Sequence, residues 1–185
     1  MTLDLIVQAE GQTFLLPDRR RATDDRWHVL HSRGRQEKAL ASTLSSMGIA
    51  CYLPLRREMH LHRGRKVEVE VPVFPSYVFL WGDRDHAFAA DRTRRVANLI
   101  VVNDQSRLEW ELSNLHLALV TKAPLEPFPA LQVGVPARVR VGPLAGLEGV
   151  VASRIRPERL VLQVRMLGTA TSLEIGGEFL ELLDP

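Results

Sequence analysis

The chain has 185 residues, 45% of them hydrophobic, with a formal net charge of +2 and a pI near 9.0. That length suits one domain or two small ones, and the charge is too mild to argue for nucleic-acid binding by itself. A single cysteine, Cys51, excludes a disulfide framework and a cysteine-ligated metal site, and no stretch reaches the roughly 18 consecutive apolar residues of a membrane span.

Residues 1–16 contain Asp4 and Glu10, lack a basic start and do not read as a signal peptide. A soluble cytoplasmic protein is expected. The same residues alternate weakly and predict one short strand at most. Residues 17–26 (PDRRRATDDR) are polar and read as a tether. Charge is unevenly placed: residues 26–122 carry fifteen Lys/Arg against ten Asp/Glu, whereas 130–185 hold six of each. The first folded unit is therefore the basic one.

Trp27–His31 predicts a strand. Arg35–Met47 predicts a helix with Ala39, Leu40, Leu44 and Met47 at helical spacing, ended by Gly48. Ile49–Leu55 reads as a second strand interrupted by Pro54. Arg56–Glu70 reads as a polar hairpin turning at Arg63–Gly64–Arg65–Lys66. The run Val69–Trp81 is the densest apolar and aromatic stretch of the chain. It places Phe74, Tyr77, Phe79 and Trp81 close together, and Pro75 stands at the entry of a strand, where a missing N–H is tolerated. A helix over Asp83–Arg92, a strand over Leu99–Val102 and a helix over Leu108–Val120 complete the series. The order β-α-β-β-β-α-β-α predicts an α+β domain, an antiparallel sheet flanked by helices.

Pro124, Pro127 and Pro129 mark residues 122–131 as a linker. Five short strands with Gly/Pro turns follow, over Ala137–Val141, Gly149–Ile155, Leu160–Arg165, Thr171–Ile175 and Phe179–Leu182, and predict a small five-stranded β-barrel. The expected organisation is an extension at 1–25, an α+β domain at 26–121, the linker, and the barrel at 132–185.

No catalytic constellation is legible. HExxH, GxSxG and CxxC are absent, and the six histidines form no cluster with a nucleophile. The pair Glu68/Glu70 lies beside Arg65 and Lys66 and reads as solvated charge. His60 and His62 lack a third ligand at suitable spacing. Neither an enzyme nor a bound metal or cofactor is expected. A basic α+β domain with an aromatic strand, tethered to a neutral barrel, reads instead as a binding module with two surfaces. A stand-alone nucleic-acid or ribosome-binding module is the alternative.

Three stretches, WHVLHSRGRQEKALASTLSSMG, VPVFPSYVFL and VGVPARVRVGPLAGLEGVV, in this order and spacing, resemble the NusG family of transcription elongation factors over roughly residues 26–183. The resemblance implies an N-terminal NGN domain that binds the clamp helices of the largest RNA polymerase subunit, suppresses pausing and promotes processive elongation. It also implies a C-terminal KOW barrel. By resemblance, Trp27, Val29, Phe74, Tyr77 and Phe79 form the polymerase-binding patch. Arg63, Arg65, Lys66, Arg92, Arg94 and Arg95 would face template or non-template DNA or a second polymerase contact. Leu167 would meet ribosomal protein S10 or the Rho factor. Neither membrane attachment nor an oligomer is implied. The chain departs from the family at Pro75–Ser76–Tyr77, where a glycine is common, at Thr93–Arg94–Arg95–Val96 and at Leu167–Gly168–Thr169. These departures imply a specialised, RfaH-like antiterminator acting on selected operons.

Overall fold

A computed structural model describes residues 6–9, 12–15, 24–128, 134–152 and 159–183. Residues 17–23 of the expected tether, the end of the linker at 129–131 and the tail of the strand expected over Gly149–Ile155 lie outside the described residues. The chain divides into two units, Met1–Gln105 and Ser106–Pro185.

In the first unit, β1 (Ile6–Ala9) and β2 (Gln12–Leu15) pair as an antiparallel ladder, where the sequence predicted one strand at most. The main elements are β3 (Arg26–Ser32), α1 (Glu37–Ser46), β4 (Ala50–Tyr52), β5 (Leu55–His62), β6 (Arg65–Pro72), β7 (Tyr77–Gly82), α2 (Arg84–Arg92) and β8 (Val96–Ile100). Four of them form an antiparallel sheet in the order β4-β7-β3-β8. β5 and β6 form a separate two-stranded ladder. Its turn is Arg63–Gly64, with φ of 48° and 78°. Two positive-φ residues suit the right-handed twist of a hairpin, and glycine takes such a conformation freely.

Alternation along the strands divides the sheet into two apolar faces. Leu30, Cys51, Val78 and Leu80 meet Leu40, Ala41 and Leu44 of α1 and Ala90 of α2 in one buried cluster. Burial pushes the Cys51 thiol up to about 12, so it behaves as a small hydrophobe. The opposite face carries the register pairs Trp27↔Trp81, Val29↔Phe79 and His31↔Tyr77, with Tyr52 facing Phe79 from the other side.

The entry to β7 is held from α1. Ser76 sits at φ 70°, the left-handed region, and its N–H donates to the Glu37 carboxylate at 2.7 Å. This is the position where the family pattern has glycine.

In the second unit, α3 (Gln105–Val120) contributes all but its first residue. The contact boundary therefore falls after the first residue of this helix, whereas the sequence placed the helix in the first domain. β9 (Glu126–Phe128), β10 (Val135–Val139), β11 (Glu148–Ala152), β12 (Arg159–Val164), β13 (Thr169–Glu174) and β14 (Leu180–Leu182) follow. They form an antiparallel sheet ordered β14-β10-β11-β12-β13-β9. Where the sequence predicted a small five-stranded barrel, the described residues show a β-sheet region of six strands, with no ladder joining β14 to β9. The sixth strand comes from the proline-rich segment expected as a linker. Pro127 is tolerated there because β9 is an edge strand, and the Thr171 hydroxyl donates to the Glu126 carbonyl at 2.7 Å. α3 joins this sheet through polar contacts. Trp110 Nε1 donates to Glu148, the Glu148 N–H donates to Asn114 Oδ1 at 2.7 Å, and the Arg165 N–H donates to Glu111. Burial raises the Glu111 carboxyl above its ordinary value, against the opposing pull of Arg107.

Replacing Ser76 by glycine should stabilise the protein. A left-handed residue with a Cβ costs about 1 kcal/mol, and the bond from its N–H to Glu37 survives the change. A urea denaturation midpoint that moves upward is the expected result, and a lower midpoint would show that the serine side chain itself holds the turn.

Candidate binding surfaces

The five residues predicted to form the aromatic patch do come together. Phe79 is the hub: the Tyr52 and Phe74 ring centroids lie 6.3 and 6.4 Å from it, and Trp27 packs edge-on against Trp81 at 5.3 Å. Trp27, Val29, Phe74 and Phe79 are 2% exposed or less. Tyr77 alone of the five is half-buried, at the rim, with its ring 5.3 Å from that of His31.

The basic residues fall into two places. Arg63, Arg65 and Lys66 are exposed at the tip of the β5–β6 hairpin. Lower on the hairpin the charges are matched: Arg57 pairs with Glu68 at 3.0 Å, and Glu58 is bonded by His60 at 2.9 Å and by Arg56. The His60 and Arg56 bonds hold the Glu58 carboxyl below its ordinary value. Met59, Leu61 and Val67 are exposed beside them. Arg92 and Arg94 are exposed at the end of α2, Arg94 in the left-handed region at φ 59°. Arg95 is half-buried and donates to the Gln36 side chain, so it ties β8 to the start of α1. Leu167 is half-buried on a short 3-10 turn, Arg165–Leu167, that closes onto Gly168.

Two features escaped the sequence reading. Asp25, Asp83 and His86 place three possible ligand atoms within 4.8 Å of one another. Their geometry is that of a helix cap: Asp83 accepts from the His86 N–H at 2.9 Å, which holds its carboxyl below the ordinary value, and His86 Nδ1 receives the Asp83 N–H. The second is an apolar depression of about 380 Å³ lined by Trp27, Ala87, Phe88, Leu99 and Val102, with Arg26 and Arg84 at its edge. Phe88 was the available signal, an aromatic residue on an otherwise polar helix face.

The first unit is thus an α+β sheet-and-helix domain with a projecting basic hairpin. Residues 25–112 match the family model described as NusG, transcription termination factor nusG. No curated protein matches the chain. Among solved structures, the chain is similar to Thermotoga maritima NusG, from a structure titled "Domain interaction in Thermotoga maritima NusG", with 16% identity, a TM-score of 0.47 and coverage of 87% of this chain and 98% of that one. It is more distantly similar to a chain of the MjSpt4:Spt5 complex in conformation B, with 13% identity, a TM-score of 0.29 and coverage of 86% and 97%.

Burial separates two members of the aromatic set. Phe79→Ala should cost about 3–5 kcal/mol through the cavity it leaves, whereas Tyr77→Ala at the rim should cost well under half of that. Urea denaturation of the two variants measures the difference; equal losses would mean that Tyr77 is as deeply packed as Phe79.

Proposed function

We propose that this protein is a NusG-type transcription factor that binds RNA polymerase through its N-terminal unit and lowers pausing and termination. The observation that carries the reading is the family match over residues 25–112, which covers the four-stranded sheet, its two helices and the hairpin. Clamp-helix binding in the family enters here as the proposed mode of attachment. The buried rings change how that attachment works. Trp27, Val29, Phe74 and Phe79 form a rigid support, and the contact is made by what stands at its rim, chiefly Tyr77 with the tilted His31 ring beside it. A rim aromatic fixed from behind loses little freedom on docking, which favours affinity.

The activity is non-catalytic. The protein acts by occupying the polymerase, and the C-terminal sheet, with Leu167 half-exposed on its turn, supplies a second contact for a translation or termination partner such as ribosomal protein S10 or Rho. The departures from the family pattern at Pro75–Ser76–Tyr77, Thr93–Val96 and Leu167–Thr169 favour a specialised, RfaH-like role over a general one.

In a co-purification assay with core RNA polymerase, the wild-type chain should be retained. Tyr77→Asp should lose most of the binding while keeping its far-UV circular dichroism. Transcription on a pause-containing template should then show shorter pauses with the wild-type chain only. A folded Tyr77→Asp variant that binds and acts normally would remove Tyr77 from the interface; a wild-type chain that neither binds nor alters pausing would remove the function.

The unpaired tip of the hairpin favours an accompanying contact with DNA. If Arg63, Arg65 and Lys66 neutralise phosphates, affinity for duplex DNA should fall linearly with the logarithm of salt concentration. Removing each cation should lower that slope by about one unit. Affinity that does not respond to salt would exclude the contact.

A further inference from the structure

We infer that the surface centred on Phe88 of α2 is a docking site for an acidic, apolar segment of a partner protein. Tyr77 and His31 line neither of its depressions, and the inference does not rest on the polymerase reading. Phe88 is 52% exposed and forms a ridge between two depressions. On one side lies the depression of about 380 Å³ floored by Trp27, Leu99 and Val102. On the other lies one of about 450 Å³ lined by Met47, Ala89 and Arg92. Met47 and Val101, 47% and 74% exposed, carry the apolar surface outward on either side.

The shape selects the occupant. A small molecule seated in one depression would leave the ridge and the second depression bare. A polypeptide segment straddling Phe88 fills both with successive apolar side chains, and contiguous exposed apolar surface of this kind marks protein contact sites. Charge selects its composition. Arg26 and Arg84 stand at the first depression and Arg92 at the second, and none of the three has an ion-pair partner among the described residues. Among the described residues, Asp85 is the only carboxylate lining either one. Three unpaired guanidinium groups around an apolar ridge repel basic segments and attract acidic ones. Arg84 already lies over the Phe88 ring, 5.3 Å from its centroid, so the aromatic and arginine anchors typical of interface centres are in place.

The floor is also fixed before anything binds. The Gln105 side chain accepts from the Trp27 N–H at 2.7 Å and donates to the Trp27 carbonyl at 2.9 Å and the Val102 carbonyl at 3.2 Å. His28 bonds the Gly82 carbonyl at 3.2 Å, and burial holds its imidazole below the ordinary value. The Asp83–His86 cap fixes the start of α2. A surface held this way loses little order on binding.

The test is selection of a random-peptide phage library on the full chain, with counter-selection on Phe88→Ser. Enriched peptides should combine Asp or Glu with Leu, Phe or Trp. A synthetic enriched peptide, followed by fluorescence anisotropy, should bind about tenfold more weakly to Phe88→Ser and to Arg84→Glu, with Arg84→Lys in between. Circular dichroism checks that these surface variants stay folded. The proposal is overturned by no enrichment, by enrichment equal on Phe88→Ser, or by peptides without acidic bias. A dimer in sedimentation that disappears with Phe88→Ser would also overturn it, since a second copy would then be the occupant. So would single-stranded DNA binding that Arg84→Glu abolishes and Phe88→Ser leaves intact.

Discussion

The cross-strand register of β3 against β7 is the constraint on which the first unit depends. Trp27 faces Trp81, Val29 faces Phe79 and His31 faces Tyr77, so one face of the sheet is built from aromatic and β-branched side chains directly opposite one another. Aromatic and β-branched cross-strand pairs contribute about 0.2–1 kcal/mol each beyond their burial. A shift of one residue would send every ring to the other side, where α1 and the leucines of the first cluster already pack. The register is therefore fixed by two incompatible faces rather than by any single contact. Ser76, in its left-handed conformation and bonded to Glu37, sets where β7 begins and so which residue faces His31.

That constraint also determines which side chains stay accessible. Rings that specify the register are committed to the core. The accessible groups lie at the edges: Tyr77 at the rim of the sheet, the hairpin that leaves the sheet altogether, and the outer face of α2. The hairpin shows how such a projection stays ordered. Glu58 and Glu68 satisfy Arg56, Arg57 and His60 near its base and middle, while the tip keeps its cations free.

Much of this was legible in the sequence and some was not, for identifiable reasons. The hairpin turn at Arg63–Gly64, the helix ended by Gly48 and the strand after Pro75 were readable because backbone chemistry is local. The burial of the aromatic face was not. A continuous apolar strand is equally consistent with a docking face and with a sheet covered on both sides, and only the tertiary structure distinguishes them. The proline-rich stretch was read as a linker because proline removes a ladder donor, but at the edge beside β13 that donor is not needed. The grouping of α3 with the second unit rests on Asn114 and Glu111 bonding backbone N–H groups 34 and 54 residues away. No helical periodicity encodes such partners.

The basic residues can be sorted by what they bond. Arg56, Arg57, Arg107 and Arg138 have carboxylate partners, and Arg95 has Gln36. These are spent on the fold. Arg26, Arg63, Arg65, Lys66, Arg84, Arg92 and Arg94 have no ion pair among the described residues. The free set divides again by its surroundings. At the hairpin tip the cations stand in water around a turn, an arrangement suited to phosphate, which needs charge but no apolar floor. On α2 they surround Phe88 and two apolar depressions, where an ion alone would leave the greater part of the surface unsatisfied. The same residue type thus stands in two different surroundings, and the apolar ground beneath the charge distinguishes them.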